Sequence, residues 1–417
     1  MKKILIAIII VLIIIVGGLW WYIRSNTISP INAPGASSSP IVPFPIATDR
    51  PISVISGTGS TGSSSFAGGQ GATEQSATQA YELYSRPVVG YRYISIATST
   101  ALVFMDRDSG HLYLVRGEGG STRVSNTTLL GVERAWWVES KDKLFTIVNS
   151  RESGFPRITL YSVKKTELLS AFTASSSPAA LVKEGDIDTT PIDIAPAPIG
   201  SKFLLLSKEG SERSKIEVVD APTLKRTLLA SNIPFTELSL EWRGAQTATL
   251  STKPSFSAPG VLFTLNTSTG DLERVVGASS NFFALSDKLV EHILYTDGSR
   301  SKIWSRGATS TQILNLAALP EKCAWSSLLK GVLYCATPRN QGEFLLQRDV
   351  WLRGETSTRD DLWWIDTRNG TADVLAELSY TFDASTLVVS PNENTLILKN
   401  RLTGGIVRIP IPQESYD

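Results

Sequence analysis

The chain has 417 residues, 40 Lys and Arg against 39 Asp and Glu, and two each of His, Cys and Met. Balanced charge leaves no electrostatic footprint for nucleic acid. Two histidines make a poor basis for a metal site or an acid–base pair, and two cysteines exclude both a disulfide-rich scaffold and a four-cysteine zinc site.

In chain order, the first feature is "MKKILIAIIIVLIIIVGGLWWYIRSN". Ile4 to Ile23 carry no charge, about 30 Å of helix at 1.5 Å per residue, enough to cross a bilayer. Trp20, Trp21 and Tyr22 stand where interfacial aromatics belong, and Lys2, Lys3 and the α-amine before the span outweigh Arg24 after it, which predicts an N-terminus inside. The rival is a cleaved signal peptide, whose apolar core is shorter and ends on small residues. Bulky aromatics end this run, which therefore reads as an uncleaved anchor over residues 1–24; with no cysteine here, a lipoprotein is ruled out.

Residues 25–80 are dominated by Ser, Pro, Gly, Ala and Thr. Too little apolar surface is present to offset the entropy of ordering, and the stretch reads as a flexible linker. Gly68-Gly69-Gln70 matches the release-factor tripeptide, but Gly-rich composition produces it by chance.

From residue 81 to 417 short apolar runs such as "ALVFM", "KLFTIV", "KFLLLS", "HILYT" and "TLILK" alternate with polar turns, the mark of an all-β chain. A longer phrase also recurs: an apolar run, a polar turn and a second apolar run, as in "KIEVVDAPTLKRTLLAS", "VLFTLNTSTGDLERVVG", "DLWWIDTRNGTADVLAEL" and "RITLYSVKKTELLSAF". The residue just after its first apolar run falls at Arg116, Lys164, Asp220, Asn266, Arg306 and Asp366, intervals of 48, 56, 46, 40 and 60 residues. A four-stranded propeller blade takes about 40–50. A turn-and-strand element precedes most copies ("SKDKLFTIVNS", "PIGSKFLLLSK", "SDKLVEHILYT"), so each unit supplies two hairpins.

This predicts a seven-bladed β-propeller with blades near 88–126, 131–172, 190–231, 237–277, 281–316, 322–378 and 383–411. The last unit is one strand short, and residues 78–90 are the expected donor that closes the ring. A pair of β-sandwiches is the alternative. The turn layout resembles WD40-like and TolB-like propellers, although no Gly-His or Trp-Asp signature repeats. The phrases "LPEKCAWS", "LYCATP", "TKPSFSAPG" and "DSGHLYLV" resemble single-span, propeller-like envelope proteins of candidate-phylum bacteria over about residues 85–410. That resemblance implies an envelope location and a propeller, and no activity.

Candidate chemistry is sparse. No Gly-x-Ser-x-Gly occurs, and His111 and His292 are the only imidazoles. "DRDSGH" (106–111) lacks the Ser and Trp of a sialidase turn and reads as a capped β-turn. "EGDIDTTPID" places Glu184, Asp186, Asp188 and Asp193 in an expected inter-blade loop, where alternating oxygens could serve calcium; a solvated acidic loop competes. A second expected insertion, 337–360, carries Trp351 with Arg348, Arg353, Arg359 and Asp360, and an exposed Trp351 beside Arg353 would anchor a ligand. Asp186, Asp188, Trp351 and Arg353 are thus the candidate binding-loop residues. No cofactor, metal site or catalytic residue is implied. Cys323 and Cys335 flank a hairpin centred on Leu329, six residues to each side, and directly opposed they reach disulfide range.

The expectation is a membrane-anchored, extracytoplasmic, non-enzymatic binding module with a protein, peptide or envelope-glycan partner. An envelope hydrolase using the insertions, or an accessory subunit of an envelope assembly or secretion complex, is the alternative.

Overall fold

A computed structural model of the protein describes residues 80–412, except 97–98, 118, 153–154, 174–176, 299, 342–347 and 380. The expected anchor, and all of the expected linker but Ala80, lie outside the described residues. Among the described residues no helix is long and apolar enough to cross a membrane.

The chain builds seven four-stranded antiparallel sheets in sequence order. It opens with β1 (Tyr81–Tyr84). Blade 1 is β2 (Val88–Ile96), β3 (Ser99–Asp106), β4 (Leu112–Val115) and β5 (Thr122–Arg123). Blade 2 is β6 (Val132–Glu139), β7 (Lys143–Glu152), β8 (Phe155–Lys164) and β9 (Val182–Ile187). Blade 3 is β10 (Pro191–Pro196), β11 (Lys202–Glu209), β12 (Arg213–Asp220) and β13 (Lys225–Ile233). Blade 4 is β14 (Leu238–Trp242), β15 (Thr247–Thr252), β16 (Pro259–Asn266) and β17 (Leu272–Ser280). Blade 5 is β18 (Ala284–Ser286), β19 (His292–Asp297), β20 (Arg300–Ser305) and β21 (Gln312–Leu314). Blade 6 is β22 (Cys323–Trp325), β23 (Val332–Pro338), β24 (Asp360–Asp366) and β25 (Thr371–Glu377). Blade 7 is β26 (Ala384–Val389), β27 (Thr395–Asn400) and β28 (Ile406–Pro410), completed by β1, which pairs antiparallel with β28 through Tyr81↔Arg408 and Glu82↔Val407. The N-terminal strand closes the ring, so neither end of the sheet series is left open.

Seven apolar clusters fill the seven contacts between neighbouring blades. Strand alternation explains the adjacent tryptophans. Trp137 packs between blades 1 and 2 and Trp136 between 2 and 3; Trp363 serves blades 5 and 6 and Trp364 serves 6 and 7. The recurrent phrase is the outer hairpin of a blade. Its Asp or Asn caps the turn: Asn266 accepts the Ser268 N–H at 2.9 Å, and Asp366 accepts the Arg368 N–H at 2.9 Å. Gly270 closes the Asn266 turn at φ 83°, and a Cβ there would lie 2.0 Å from the Leu229 carbonyl oxygen, so glycine is required twice over.

Blade 2 departs from the expected boundaries. Lys165–Phe172, read as its outer strand, is the helix α1, and the outer strand is β9, paired with Ile158–Ser162. Leu168 and Ala171 are both buried in the core between blades 1 and 2. Their spacing of three residues is a helical stripe, too short to stand out in the sequence. Glu184 and Asp186 therefore belong to a strand and Asp193 to β10; only Asp188 sits in a connection.

Candidate functional site

The face where the inner strand of each blade begins is here called upper, and the opposite one lower. On the upper face the connection between β23 and β24 is the longest in the propeller. It carries a short helix, α2 (Arg348–Arg353), and forms a strap over blades 4–7. Arg348, fully buried, donates to the Asn281 carbonyl at 3.0 Å and the Thr296 hydroxyl at 2.7 Å, and pairs with Glu321. Asp349 accepts the Phe256 N–H of blade 4 at 3.0 Å. Arg401 of blade 7 donates to the carbonyls of Trp351 and Thr356.

Beneath the strap lies a buried ionic cluster. Lys322, on the turn Pro320–Lys322, donates to Thr358 at 2.6 Å, Asp360 at 2.7 Å and Asp383 at 2.9 Å, and the lysine and both aspartates are sealed from solvent. Trp351 covers it: Nε1 donates to both Asp383 oxygens at 3.0 Å, and the ring lies 4.5 Å from the Lys322 ammonium and 5.0 Å from the Arg401 guanidinium carbon. Two cations thus balance two carboxylates, the condition for burying them at tolerable cost. Burial pushes the Asp360 carboxyl up despite Lys322. Burial acts in the same sense on Asp383, but Lys322, Thr358 and Trp351 outweigh it and hold that carboxyl below its usual value.

The candidate binding residues are corrected accordingly. Trp351 is 2% exposed and is a structural plug rather than an open anchor. Arg353, on the same short helix, is exposed and pairs with Glu355 at 2.6 Å. Asp186 is held on β9 by Lys183 at 2.8 Å, Thr159 at 2.8 Å and Arg157 at 3.1 Å; these cations and hydroxyl hold its carboxyl below the usual range. Asp188 is exposed on the next connection. The aspartates belong to blade 2 and the strap to blades 4–7, so the fold does not bring the four together. Among the described residues no cluster has the make-up of a metal site.

Neither imidazole bonds a carboxylate. His111 Nε2 lies 3.3 Å from the Thr128 hydroxyl. His292 Nδ1 lies 3.0 Å from the Ser305 hydroxyl, and its Nε2 is buried without a partner. A serine hydrolase needs an acid to orient that imidazole. "DRDSGH" is a capped turn: Asp106 accepts the Ser109 N–H at 2.8 Å and its hydroxyl at 2.6 Å.

Sequence reading missed Lys322, Asp360 and Asp383 as a unit, because they come from three segments far apart in the chain. The one signal was position: each stands at, or one residue before, the upper end of a strand in blades 6 and 7.

Two further features shape the ring. Arg92 on β2 reaches the carbonyls of Trp137 at 2.6 Å and Ala197 at 2.9 Å, stitching blades 1, 2 and 3 together at the channel. On the lower half, a groove of about 860 Å³ runs between blades 7 and 1, lined by Tyr81, Tyr93, Val115, Asn392 and Arg408 among others.

With the geometry in view, comparison with known proteins is informative about the fold alone. No family model matches the chain, and no curated protein does. Solved structures do. Sqt1 of Saccharomyces cerevisiae superposes with a TM-score of 0.52 at 8% identity, covering 81% of this chain and 99% of that one. The Pan2 WD40 domain of Neurospora crassa gives 0.48 at 10% identity, with 79% and 90% covered. TolB from Acinetobacter baumannii gives 0.40 at 11% identity, with 78% and 79% covered. The chain is a seven-bladed β-propeller.

Proposed function

We propose that this propeller is a binding module of the cell envelope, anchored by its N-terminal segment in the cytoplasmic membrane with the domain outside, and that it presents the strapped upper face to a protein or peptide. The observation that carries the reading is the strap itself. The described part of a long connection, residues 348–359, is tied to four blades by charged side chains, several of them buried, and binding residues concentrate on loops positioned by a rigid scaffold. Leu352, 41% exposed, is next to Arg353 on the strap, and Phe256 of blade 4, 55% exposed, is tied to the strap through Asp349. Arginine is among the side chains enriched in interaction hot spots, and Phe256 adds an aromatic face that a partner can cover. The Cys323–Cys335 bond supports the outside location, because such bonds persist in oxidising compartments. The hydrolase alternative has no comparable support: Arg348, Asp349 and Asp360 of the insertion are engaged in hydrogen bonds that hold it to the ring.

The test is site-specific photo-crosslinking in the intact envelope. A photoreactive residue at Phe256 or Leu352 is expected to capture the same protein, and one at Leu228, on the outer strand of blade 3, to capture none. Silence at both upper positions overturns the reading.

A further inference from the structure

The lower face carries a pattern that neither the ring nor the strap requires. Three of its inner turns present a bare aliphatic side chain: Ile199 is 90% exposed, Leu289 68% and Leu328 64%. An exposed lysine stands within three residues of each, namely Lys202, Lys288 and Lys330. Two of the three tips are held in position. Glu393 of blade 7, itself buried, accepts the N–H groups of Ser327 at 2.5 Å and Leu328 at 2.7 Å and the Ser326 hydroxyl at 2.7 Å, which fixes the blade 6 turn. Asp287 accepts the N–H groups of Glu291 at 2.9 Å and His292 at 3.1 Å, which fixes the blade 5 turn. Lys330 reaches Glu291 at 2.8 Å and sets those two turns side by side. Lys141, Lys225 and Arg306 add exposed positive charge on the same face.

Aliphatic tips with lysine beside them match the boundary of an anionic bilayer, where apolar side chains enter the acyl region and ammonium groups meet phosphates. The chain also enters the domain on this face. β1 is an outer strand, and outer strands run from the lower face to the upper one, so Ala80, where the expected linker joins the domain, lies at the lower face. We infer that the lower face docks on an anionic membrane surface, with Ile199, Leu289 and Leu328 inserted among the headgroups and Lys202, Lys288 and Lys330 against the phosphates. Docked so, the strapped face points away from the membrane. The inference rests on the proposed anchor for the nearness of the bilayer, and on the pattern of the face for the contact.

The test uses the full chain in nanodiscs of phosphatidylglycerol or of phosphatidylcholine, read by amide hydrogen exchange of segments 197–202, 287–291 and 326–330. Exchange of all three is expected to slow several-fold in phosphatidylglycerol. It is expected to return to the rate of the same chain in detergent micelles, the membrane-free reference, in phosphatidylcholine, at high salt, and in the Lys202→Glu/Lys288→Glu/Lys330→Glu variant, with segment 348–355 unchanged throughout. Equal exchange in both lipids overturns the inference. Slowing that ignores lipid charge and the lysine variant also overturns it, and points to a second copy or another protein as the occupant. If the chain fails to enter nanodiscs, the anchor is refuted. Flotation of the same chain with preformed phosphatidylglycerol vesicles then judges the face alone: flotation lost in an Ile199→Ser/Leu289→Ser/Leu328→Ser variant supports it, and no flotation overturns it.

Discussion

Tyr84 donates a 2.8 Å hydrogen bond to Asp106, and the bond crosses the seam of the ring. Tyr84 belongs by strand pairing to blade 7, while Asp106 ends β3 of blade 1. The Tyr84 ring also lies 4.9 Å from those of Phe104 and Tyr113 of blade 1, which stack on each other at 5.2 Å. The strand that closes the ring through its backbone is thus fastened to the next blade through a side chain.

Closure is therefore predicted to depend on β1. Removing residues 1–75 should leave a monomer that unfolds cooperatively. Removing residues 1–85 should bare the β28 edge and forfeit the burial of Leu83, roughly 1.5–3 kcal/mol, together with the packing of half-buried Tyr84 on Phe104 and Tyr113. Size-exclusion chromatography and urea titration of the two proteins check this: the shorter one should aggregate and unfold at lower denaturant. Identical behaviour would refute closure by the N-terminal strand.

The same pair predicts a pH dependence. Burial alone would raise the Asp106 carboxyl, but the Ser109 hydroxyl and N–H, Tyr84 and Arg86 outweigh it, so the folded value lies below the ordinary one. A depressed folded pKa contributes stability above the unfolded value, about 3.9 for Asp, and that stability is lost as pH falls through the folded value. Asp106→Asn should remove this part of the acid dependence. Tyr84→Phe should lower stability by about 1 kcal/mol at neutral pH and weaken the acid slope. Melting temperatures from pH 7 down to acid unfolding measure both, and an unchanged slope in Asp106→Asn refutes the assignment.

Much of this fold was legible because a propeller writes the same hairpin repeatedly, and turn chemistry marks each copy. Asp220, Asn266 and Asp366 close inner runs of the outer hairpin in three different blades, and the missing last strand announced that β1 would be borrowed. Two local facts were not legible. Lys165–Phe172 has too few residues for its helical stripe to compete with the strand pattern around it. Trp351 looked like a surface anchor because the insertion is polar in sequence; its partners Lys322, Asp383 and Arg401 are brought to it by the curvature of the ring. Spacing along the chain carries hairpins, which are local, and does not carry a cluster assembled from three segments far apart in the chain.

That cluster should be the point at which the strap fails. Lys322→Met leaves Asp360 and Asp383 buried with one ammonium fewer, and breaking a buried ion pair from one side costs about 3–5 kcal/mol. Trp351→Phe keeps an aromatic ring and loses the Nε1 bond to Asp383, whose oxygens still accept from Lys322, Thr358 and Arg401, at about 1.5–3 kcal/mol for a hydrogen bond to a charged group. Chemical denaturation gives the totals, and hydrogen exchange over residues 348–355 should show the strap released well before global unfolding. If Lys322→Met is as stable as the parent, the cluster does not hold the strap.

The last prediction concerns the cross-link inside blade 6. Cys323 and Cys335 face each other across β22 and β23 and are bonded, with Cα atoms 4.1 Å apart and a sequence separation of 12. The bond closes a short loop in the unfolded chain, so the chain-entropy model assigns it roughly 3 kcal/mol. The double variant Cys323→Ala/Cys335→Ala should lose about that much. The reduced parent should behave like the variant, which separates the cross-link from the two side-chain deletions. Beneath the hairpin, Leu333 and Ile365 keep packing against blade 5 in either state, so the fold should survive reduction while its denaturation midpoint falls. The bond also bears on location. Protein taken from its own envelope under alkylating, non-reducing conditions should show no alkylated cysteine by mass spectrometry. Two alkylated thiols would mean that the hairpin is reduced where the protein works, and would remove the chemical support for a domain outside the cytoplasmic membrane.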